Sequence, residues 1–562
     1  MSITRRDFLK KTSLGLAATS LPLLTSGCGL DGIESLPSKY PDLEEYEYDG
    51  EIGPESLFSH GVASGDPLTD RVILWTRITK PGASEVDVFW EISVDEGFTK
   101  RLNAGWVKTD ASKDFTVKVD ADGLYAGHHY YYRFWVDGRS SVIGRTKTAY
   151  GAGARSLRFA FTSCSSYAHG YFHVYRHMGD RDDLDVVLHL GDYIYEYGSP
   201  AEGDDEEASS TYGALRRYEP PHEIITLEDY RTRYAQYRTD PDLQYVHQRH
   251  PFICVWDDHE LANDTWREGA QNHNPPEEGD FFARRDAAVQ AYHEWIPIRE
   301  AEDRRKIYRQ FVYGDLVDLL MLDTRQIGRD EQIKWADLAD EPEHRTLLGK
   351  EQEEWLEEKL SSSNARWKFL GQQVMIATMS AAVPTENGEP PPVLPFNLDA
   401  WDGYPAARRR LLEMIHREKV NNLIVLTGDI HMSWVNDIPL DLETYNRETR
   451  EGSVGVEFVT SAVSSPGLGA VVTEPGVSET EVAMIEELSE TLFYGSPSTR
   501  YFEGTRRGFV VVDVTNERVQ ADFFHIDGVH EHQGQLSHAT SWEVADGVPY
   551  AVEAAAPLDP ER

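Results

Sequence analysis

The chain has 562 residues and a mass of 63.8 kDa, with 40% hydrophobic and 27% charged residues. This composition is typical of globular proteins and excludes a wholly disordered or collagen-like chain. The 96 Asp and Glu residues outnumber the 55 Lys and Arg residues and give a formal net charge of −41. Because such a surface repels phosphate backbones, the charge argues against a nucleic-acid groove. We expect an anionic substrate to bind only where cations or a few arginines reverse the local field.

The first 27 residues have the features of an export signal. The pair Arg5 and Arg6 precedes a weakly apolar stretch at 14–24, which is too short to span a bilayer. This order of features predicts export by the twin-arginine translocase, and hence a periplasmic, cell-surface or extracellular location. Cys28 follows in a segment similar to a lipoprotein cleavage site. Two interpretations of Cys28 remain open, a lipid anchor and an ordinary signal-peptide cysteine.

Two further segments precede the largest domain. Residues 28–56 are acidic and loop-like, and we predict that they form a tether. From 57 to 150, apolar and polar residues alternate in short runs such as 86–92 and 130–136. Alternation with a period of two predicts strands that are buried on one face. We therefore predict a β-sandwich domain of immunoglobulin or fibronectin type at 57–150, which contains no cluster of catalytic side chains.

From 155 to 540 the pattern changes to continuous apolar runs separated by helical or loop segments. These runs lie at 157–161, 186–190, 252–256, 316–322, 367–370, 423–427 and 456–459. Such runs are typical of strands buried on both faces, and their alternation with helices predicts a layered α/β (α+β) domain. The remaining residues, 541–562, are predicted to be a C-terminal tail.

Five of the apolar runs end directly before polar side chains that bind metals or protons. These side chains are Cys164; Asp192 and Tyr195; Asp257, Asp258, His259 and Asn263; Asp323 and Arg325; and Asp429 and His431. Since functional groups of α/β sheets lie just beyond the carboxyl ends of the strands, we expect these side chains to meet at one edge. Each of them alone is an ordinary turn, cap or packing residue. Together they predict a metal site.

The side chains of this site differ in the metals that they prefer. A thiolate, a phenolate, an imidazole and a carboxylate form a strongly donating set that favours a trivalent transition metal over Mg²⁺ or Ca²⁺. Asp192, Asp258 and Asp429 offer only oxygen, which suits a hard cation. The sequence therefore predicts one soft and one hard metal position. Cys254 lies inside an apolar run and is predicted to be a core residue.

Two short motifs resemble a known superfamily. Gly-Asp-x-x-Tyr at 191–195 and Gly-Asp-x-His at 428–431 resemble the signature of binuclear metallophosphoesterases. Longer stretches resemble the PhoD family of secreted alkaline phosphatases and phosphodiesterases, and they lie at 59–78, 161–166, 190–196, 256–263, 284–299, 322–326, 348–356 and 426–434. The resemblance implies a four-layer α/β/β/α metallophosphoesterase domain after a β-sandwich. It also implies Fe³⁺ together with one or two Ca²⁺ ions as cofactors.

The resemblance further implies roles for individual residues. The expected iron ligands are Cys164, Asp192, Tyr195 and His431, and the expected calcium ligands are Asp192, Asp258 and Asp429, with Asn263 and Asp257 as further candidates. Arg299 and Arg325 are candidates for contacting the substrate phosphate, because a guanidinium donates to two oxygens at once. Structural ion pairs remain the alternative for both arginines. His259 is the candidate catalytic residue, which positions the substrate or protonates the leaving oxygen.

The leading hypothesis is an exported, metal-dependent phosphatase that hydrolyses monoesters, diesters or both and releases inorganic phosphate. Its substrates are then small phosphate esters. A phospholipase D-like activity on phospholipids is the alternative within the same class. A hypothesis from another class is a non-catalytic surface lipoprotein that binds ligands through the sandwich.

Overall fold

The structure is a computed structural model that describes residues 37–199, 215–380, 395–468 and 479–560. The predicted export signal and Cys28 lie outside the described residues, so the structure does not bear on them. Among the described residues, no helix combines the length and the apolar character that crossing a bilayer requires.

Eight strands form between residues 62 and 147. They are β1 (Val62–Gly65), β2 (Val72–Arg77), β3 (Glu85–Ser93), β4 (Arg101–Asp110), β5 (Thr116–Ala121), β6 (His129–Val136), β7 (Arg139–Ser140) and β8 (Gly144–Lys147). Strands β4, β3, β6 and β7 form one sheet in that order, and β8 pairs with β6 to complete its five strands.

The remaining strands belong to two larger sheets. They are β9 (Ser156–Thr162), β10 (Val186–His189), β11 (Pro251–Cys254), β12 (Arg309–Tyr313), β13 (Val317–Met321), β14 (Trp367–Gln372), β15 (Leu423–Thr427), β16 (Ser433–Pro439), β17 (Ser453–Val459), β18 (Thr499–Glu503), β19 (Arg507–Thr515), β20 (Arg518–Ile526), β21 (Leu536–Ala545) and β22 (Val552–Glu553). A ten-stranded sheet has the order β22-β21-β20-β19-β9-β10-β11-β1-β2-β5, and a seven-stranded sheet has the order β12-β13-β14-β15-β17-β16-β18.

Seven α-helices lie between these strands in the part of the chain that the structure describes. They are α1 (His173–Gly179), α2 (Leu227–Tyr237), α3 (Pro241–Arg249), α4 (Phe281–Trp295), α5 (Lys350–Ser362), α6 (Pro405–Arg417) and α7 (Glu479–Gly495). Helix α2 begins at a capping box in which Thr226 accepts from the Asp229 amide and the Asp229 side chain accepts from the Thr226 amide. These bonds satisfy backbone donors that have no partner inside the helix.

Successive side chains of the seven-stranded sheet point into two different cores, because a strand alternates its faces. Leu319 and Met321 of β13 contribute to a core shared with the ten-stranded sheet, whereas Leu320 contributes to a core shared with α5 and α6. In the shared core the Phe159 ring of β9 lies 5.7 Å from the Phe369 ring of β14. The two sheets are therefore packed face to face.

Helices cover the outer face of each sheet. On the ten-stranded sheet, Tyr175 of α1 hydrogen-bonds His189 of β10 at 2.8 Å, and the His247 ring of α3 stacks on Phe252 of β11 at 3.9 Å. On the seven-stranded sheet, Leu356 of α5 belongs to the outer core. This arrangement confirms the predicted α/β/β/α layering.

The strands of residues 57–150 do not form the predicted sandwich as a separate body. β1, β2 and β5 extend the ten-stranded sheet, because β1 pairs in parallel with β11 and the Asp66 amide donates to the Phe252 carbonyl at 2.9 Å. Only the five-stranded sheet stands apart from the two larger sheets. An alternating pattern predicts a strand but not its partner strand. The sequence therefore did not indicate that strands before residue 150 form hydrogen bonds with strands after residue 155.

The two segments predicted to lie outside the domains also pack against them. In the described part of the tether, the Tyr46 ring stacks on Trp135 at 5.0 Å and its hydroxyl accepts from the Gly138 amide at 2.6 Å. The predicted tail begins inside β21, and its side chains Trp542 and Val544 are buried in the core. The acidic composition of the tether hid the few apolar side chains that attach it.

We predict that Phe369→Ala lowers the free energy of unfolding by about 3 to 5 kcal/mol, because it opens a cavity between the two sheets. Phe369 is completely buried, whereas Phe282 on α4 is 44% exposed. Phe282→Ala is therefore the matched control and is expected to change stability by about 0.5 kcal/mol or less. Urea denaturation of both variants measures the difference, and equal stabilities would contradict this account of the core.

Candidate metal centre

The candidate ligands lie just beyond the ends of strands from both large sheets. Cys164 follows β9, Asp192 follows β10 and Asp258 follows β11, and these three strands are parallel. Asp429 and His431 follow β15 of the facing sheet. The Cys164 sulfur lies 3.8 Å from the Asp429 carbonyl oxygen. The strand ends of the two sheets therefore meet at one edge, as the sequence predicts.

The backbone turns sharply at four of these residues. Cys164, Asp192, Asp429 and His431 have φ angles of 61°, 56°, 63° and 60°, in the left-handed region. For residues other than glycine this conformation costs about 1 to 3 kcal/mol each and persists only where the surroundings enforce it. Four such residues in one place indicate a functional site.

The glycine of each Gly-Asp motif allows another chain segment to approach closely. A Cβ atom on Gly191 would lie 2.5 Å from the Asp257 amide nitrogen, and one on Gly428 would lie 2.6 Å from Ser163 Oγ. Any larger residue would push the two loops apart. The motif therefore reflects packing between neighbouring strand ends as well as ligand chemistry.

The first group of donors contains a thiol, a carboxylate, a phenol and an imidazole. Ligand atoms of Cys164, Asp192 and His431 lie within 4.8 Å of one another. The Tyr195 hydroxyl donates to Asp192 Oδ2 at 2.8 Å and lies 3.1 Å from His431 Nε2. All four side chains that were predicted to bind iron are therefore together.

The outer contacts of this group fix the orientation of its members. His431 Nδ1 lies 2.8 Å from the Pro466 carbonyl oxygen, so Nδ1 carries the proton and the lone pair of Nε2 faces Asp192 and Tyr195. Ser465 Oγ donates to the Tyr195 hydroxyl at 2.6 Å. Burial, with the nearby Asp192 charge, raises the pKa of the Cys164 thiol and of the Tyr195 hydroxyl well above their usual values.

The second group consists of carboxylates alone. Oxygen atoms of Asp257, Asp258 and Asp429 lie within 4.8 Å of one another, and Asp258 also forms a group with Asp192 and His259. Asp257 Oδ2 is buried and has no hydrogen-bond partner among the described residues. Burial, together with the charges of neighbouring carboxylates, raises the pKa of Asp429 to about 7 although Arg325 opposes the shift. A bound cation would stabilise the ionised form of these carboxylates.

Arg325 is the one predicted substrate contact that lies among these carboxylates. It is fully buried, and its nitrogens donate to Asp257, Asp399 and Asp429, with Asp258 at 3.4 Å. In the described arrangement the Arg325 guanidinium is paired with carboxylates of the protein, which corresponds to the alternative of a structural ion pair.

Arg299 and Asn263 lie in other contacts. Arg299 donates to both Asp120 oxygens and to the Asp66 carbonyl oxygen, and none of its described contacts includes a candidate ligand. The Asn263 side chain donates to Gln271 at 2.9 Å and accepts from Tyr197 at 3.2 Å. The structure therefore does not bring these two side chains into the metal groups.

His259 is held beside the groups by a buried carboxylate. His259 Nδ1 lies 2.6 Å from Glu196 Oε2, and the His259 ring lies 4.3 Å from the Tyr195 ring. Burial alone would lower the pKa of His259, but the charges of Glu196, Asp192 and Asp258 raise it well above its usual value. These carboxylates therefore favour the protonated form of His259.

Sequence reasoning missed the residues that support the ligands. Glu260 accepts from the backbone amides of Asp192, Tyr193 and Asp257 at 3.0, 2.6 and 2.7 Å, and so ties two strand ends together. The only sequence feature that pointed to Glu260 was its position next to His259, the candidate catalytic residue. Asp399 follows no apolar run, and no pattern in the sequence identifies it.

The donors present fit two metal ions of different kinds. The first group combines sulfur, nitrogen and oxygen donors at close range, as transition metals prefer. The second group offers only oxygen, and one of its oxygens is buried without a partner.

Comparison with known proteins agrees with this geometry. The profile of PhoD-like phosphatases matches residues 159–523, and that of the PhoD-like phosphatase N-terminal domain matches residues 50–150. The chain belongs to the PhoD-like phosphatase family. It is 38% identical over 508 residues to alkaline phosphatase D of Bacillus subtilis, covering 86% of this chain and 80% of that protein.

A solved structure titled "Structure of PhoD" superposes with a TM-score of 0.78 at 35% identity, covering 91% of this chain and 94% of that one. The comparisons confirm the predicted family and fold class. They also confirm a metal-dependent hydrolase of phosphoric esters, which excludes the hypothesis of a non-catalytic binding lipoprotein.

We predict that the metal-free protein binds Ca²⁺ more tightly as the pH rises from 6 to 8. The pKa of Asp429 is raised to about 7, so below that pH Asp429 must release a proton before it binds a cation. The affinity should rise by up to roughly tenfold per pH unit below 7 and then level off. Calorimetric titration in two buffers with different ionisation enthalpies measures the protons released, and an affinity independent of pH would contradict the prediction.

Proposed function

We propose that this PhoD-like phosphatase is an exported enzyme that uses Fe³⁺ and one or two Ca²⁺ ions to hydrolyse phosphate monoesters, diesters or both. The observation that supports this most strongly is the pairing of two donor groups. A set of thiol, phenol, imidazole and carboxylate lies beside a set of carboxylates alone, and Asp192 and Asp258 connect the two.

The donor chemistry favours iron in the first position. Deprotonated Cys164 and Tyr195 with Asp192 would carry three negative charges, which suits a trivalent ion better than a divalent one. Both groups have pKa values raised by burial, so only a strongly acidic metal holds them deprotonated at neutral pH. The oxygen-only group of Asp257, Asp258 and Asp429 suits Ca²⁺.

The bound metal ions, Asp192 and His259 would contribute to ester hydrolysis in different ways. When bound, the metal ions supply the positive charge that stabilises the transition state of phosphoryl transfer. Asp192 lies between the two donor groups and holds them at a fixed separation. Glu196 accepts from His259 Nδ1–H and, with the neighbouring carboxylates, favours the protonated form of His259, which would leave the proton on Nε2 to be given to the leaving oxygen.

We predict that Cys164→Ala abolishes iron binding and lowers kcat/KM by roughly a hundredfold or more, because it removes one charged ligand. Iron bound by a tyrosinate should also colour the wild-type protein, and the variant should lose this absorption. Elemental analysis and visible spectroscopy measure both effects.

Cys254→Ala is the matched control, because Cys254 is equally buried but belongs to the core on β11. It should keep its iron and its colour. A Cys164→Ala protein with full iron content and activity would overturn the ligand assignment.

We predict that the effect of His259→Asn depends on the leaving group. An alkyl phosphate needs a proton on its leaving oxygen, and its hydrolysis should slow by about 10² to 10⁴. A nitrophenyl phosphate has a leaving group that is stable as an anion, and its hydrolysis should slow much less. The ratio of kcat values for the two esters measures the effect, and metal content is the control. Equal losses on both esters would exclude His259 as the proton donor.

The choice between ester classes is tested with one preparation of enzyme. A soluble monoester, a soluble diester and phosphatidylcholine are compared at the same enzyme concentration and at alkaline pH. Preference for phosphatidylcholine with release of the free headgroup would support the phospholipase D-like alternative. Release of inorganic phosphate from the monoester supports the proposal.

Export is predicted to depend on the arginine pair near the start of the chain. Replacing Arg5 and Arg6 by lysine should leave the protein folded and active in the cytoplasm, because a twin-arginine signal is recognised by both guanidinium groups. Cell fractionation followed by phosphatase assay measures the location. Cys28→Ser with metabolic palmitate labelling then distinguishes a lipid anchor from an ordinary cysteine, since only an anchored protein loses label.

A further inference from the structure

Arg238 differs from the other fully buried arginines of the described chain. Five arginine side chains are fully buried: Arg233, Arg238, Arg284, Arg325 and Arg329. In four of them Nε and both terminal nitrogens donate to protein oxygens, which are carbonyl groups for Arg233 and carboxylates, carbonyls or hydroxyls for the others. Buried guanidinium groups therefore have complete sets of partners elsewhere in this protein.

Among the described residues, only one nitrogen of Arg238 has a hydrogen-bond partner. Its NH1 donates to the Tyr193 hydroxyl at 3.2 Å, while Nε and NH2 are buried and have no hydrogen-bond partner among the described residues. The guanidinium lies 4.4 Å from the centre of the Trp75 ring, which favours a cation but accepts no strong hydrogen bond. Asp240, two residues further along the chain, is already paired with Arg216 at 2.7 Å. Within 4 Å of Arg238 the described part of the chain offers no carboxylate.

The side chains that contact Arg238 or its partner Tyr193 are neutral and do not balance its charge. The Tyr193 hydroxyl accepts from Arg238, so its own hydrogen points to His247 Nε2 at 2.9 Å. Burial and the Arg238 charge lower the pKa of His247, and its single proton is therefore on Nδ1, which has no described partner. The Tyr234 ring lies 6.3 Å from Tyr193 and the Trp295 ring lies 5.8 Å from Trp75, and the Tyr234 hydroxyl and Trp295 Nε1 also lack described partners.

We propose that Arg238 binds a small monovalent inorganic anion of halide size, for which chloride is the ordinary ligand. A buried cation without a counter-charge is strongly unfavourable, and an anion supplies both the charge and the acceptor that Nε and NH2 require. A water molecule would satisfy the hydrogen bonds and leave the charge uncompensated. The protein has a net charge of −41, and most of its buried arginines are paired. The proposed site differs because it provides a buried cation and no carboxylate.

The proposed site lies where the N-terminal strands meet the helices of the larger domain. Trp75 belongs to β2, Arg238 follows α2, and Trp295 ends α4. Tyr193, which holds Arg238 NH1, is the residue after Asp192. The anion would therefore stabilise the contact between these elements and the loop that carries a metal ligand.

Crystals of the wild-type protein grown in bromide in place of chloride test the site directly. We expect an anomalous peak within roughly 3.5 Å of Arg238 Nε or NH2. Density for an ordered water at this position without an anomalous signal would overturn the proposal, and so would density for protein atoms alone.

Halide-dependent stability gives a second, independent test. A ligand that binds only the folded state raises the melting temperature as its concentration increases, however tightly it binds. Raising chloride from 5 to 500 mM at constant ionic strength, with gluconate as the replacement anion, should raise the wild-type Tm by roughly 2 °C or more. Arg238→Met should lose this dependence, whereas Arg233→Met, which removes a fully partnered arginine of α2, should keep it. An unchanged wild-type Tm would contradict the proposal even where a variant fails to fold.

Discussion

Surplus buried negative charge is the constraint on which the rest of this structure depends. Six aspartate side chains surround the edge where the two sheets meet, and Arg325 is the cation placed among them: Asp192, Asp257, Asp258, Asp264, Asp399 and Asp429. Burial and mutual repulsion raise the pKa of both Asp264 and Asp429 to about 7. Bound cations would stabilise the ionised form of these carboxylates. Metal dependence is therefore a property of the fold as much as of the reaction.

The loops that carry these charges are held by backbone contacts and not by packing alone. Glu260 accepts three amides from two strand ends, and Gly191 and Gly428 allow those strand ends to touch. Cys164, whose backbone is left-handed, donates its amide to the Gly191 carbonyl oxygen at 3.1 Å. Such a frame keeps the donors in place before a metal arrives, which lowers the cost of ordering them on binding.

The sequence predicted the strands and their polar ends because both follow local rules. A buried strand requires a continuous apolar run, and a functional site requires polar residues where that run ends, so Cys164, Asp192 and Asp429 could be grouped without a structure. Pairings between distant segments follow no local rule. Arg299 contacts Asp66 and Asp120, and β1 pairs with β11, but nothing near any of these residues indicates its partner.

Supporting residues were harder to predict than ligands for a similar reason. A carboxylate that holds backbone amides, such as Glu260, has the same sequence signature as a surface glutamate. Asp399 acts through Arg325 and Arg329, which lie about seventy positions earlier in the chain. Arg238 looks like an ordinary basic residue after a helix, and only its burial distinguishes it. The chemistry of these residues arises from desolvation, which depends on the complete fold.

The pairing of β9 has a consequence for the order in which the protein is made. β9 carries Cys164 at its end, and its neighbour on one side is β19, with Val510 opposite Phe161. During synthesis, one edge of β9, the first strand of the phosphatase domain, therefore has no partner strand until more than three hundred further residues have been added. The strand that carries Cys164 is therefore fully paired only after nearly the whole polypeptide has emerged. The export proposed above, by a route that carries folded proteins, is compatible with this order of assembly.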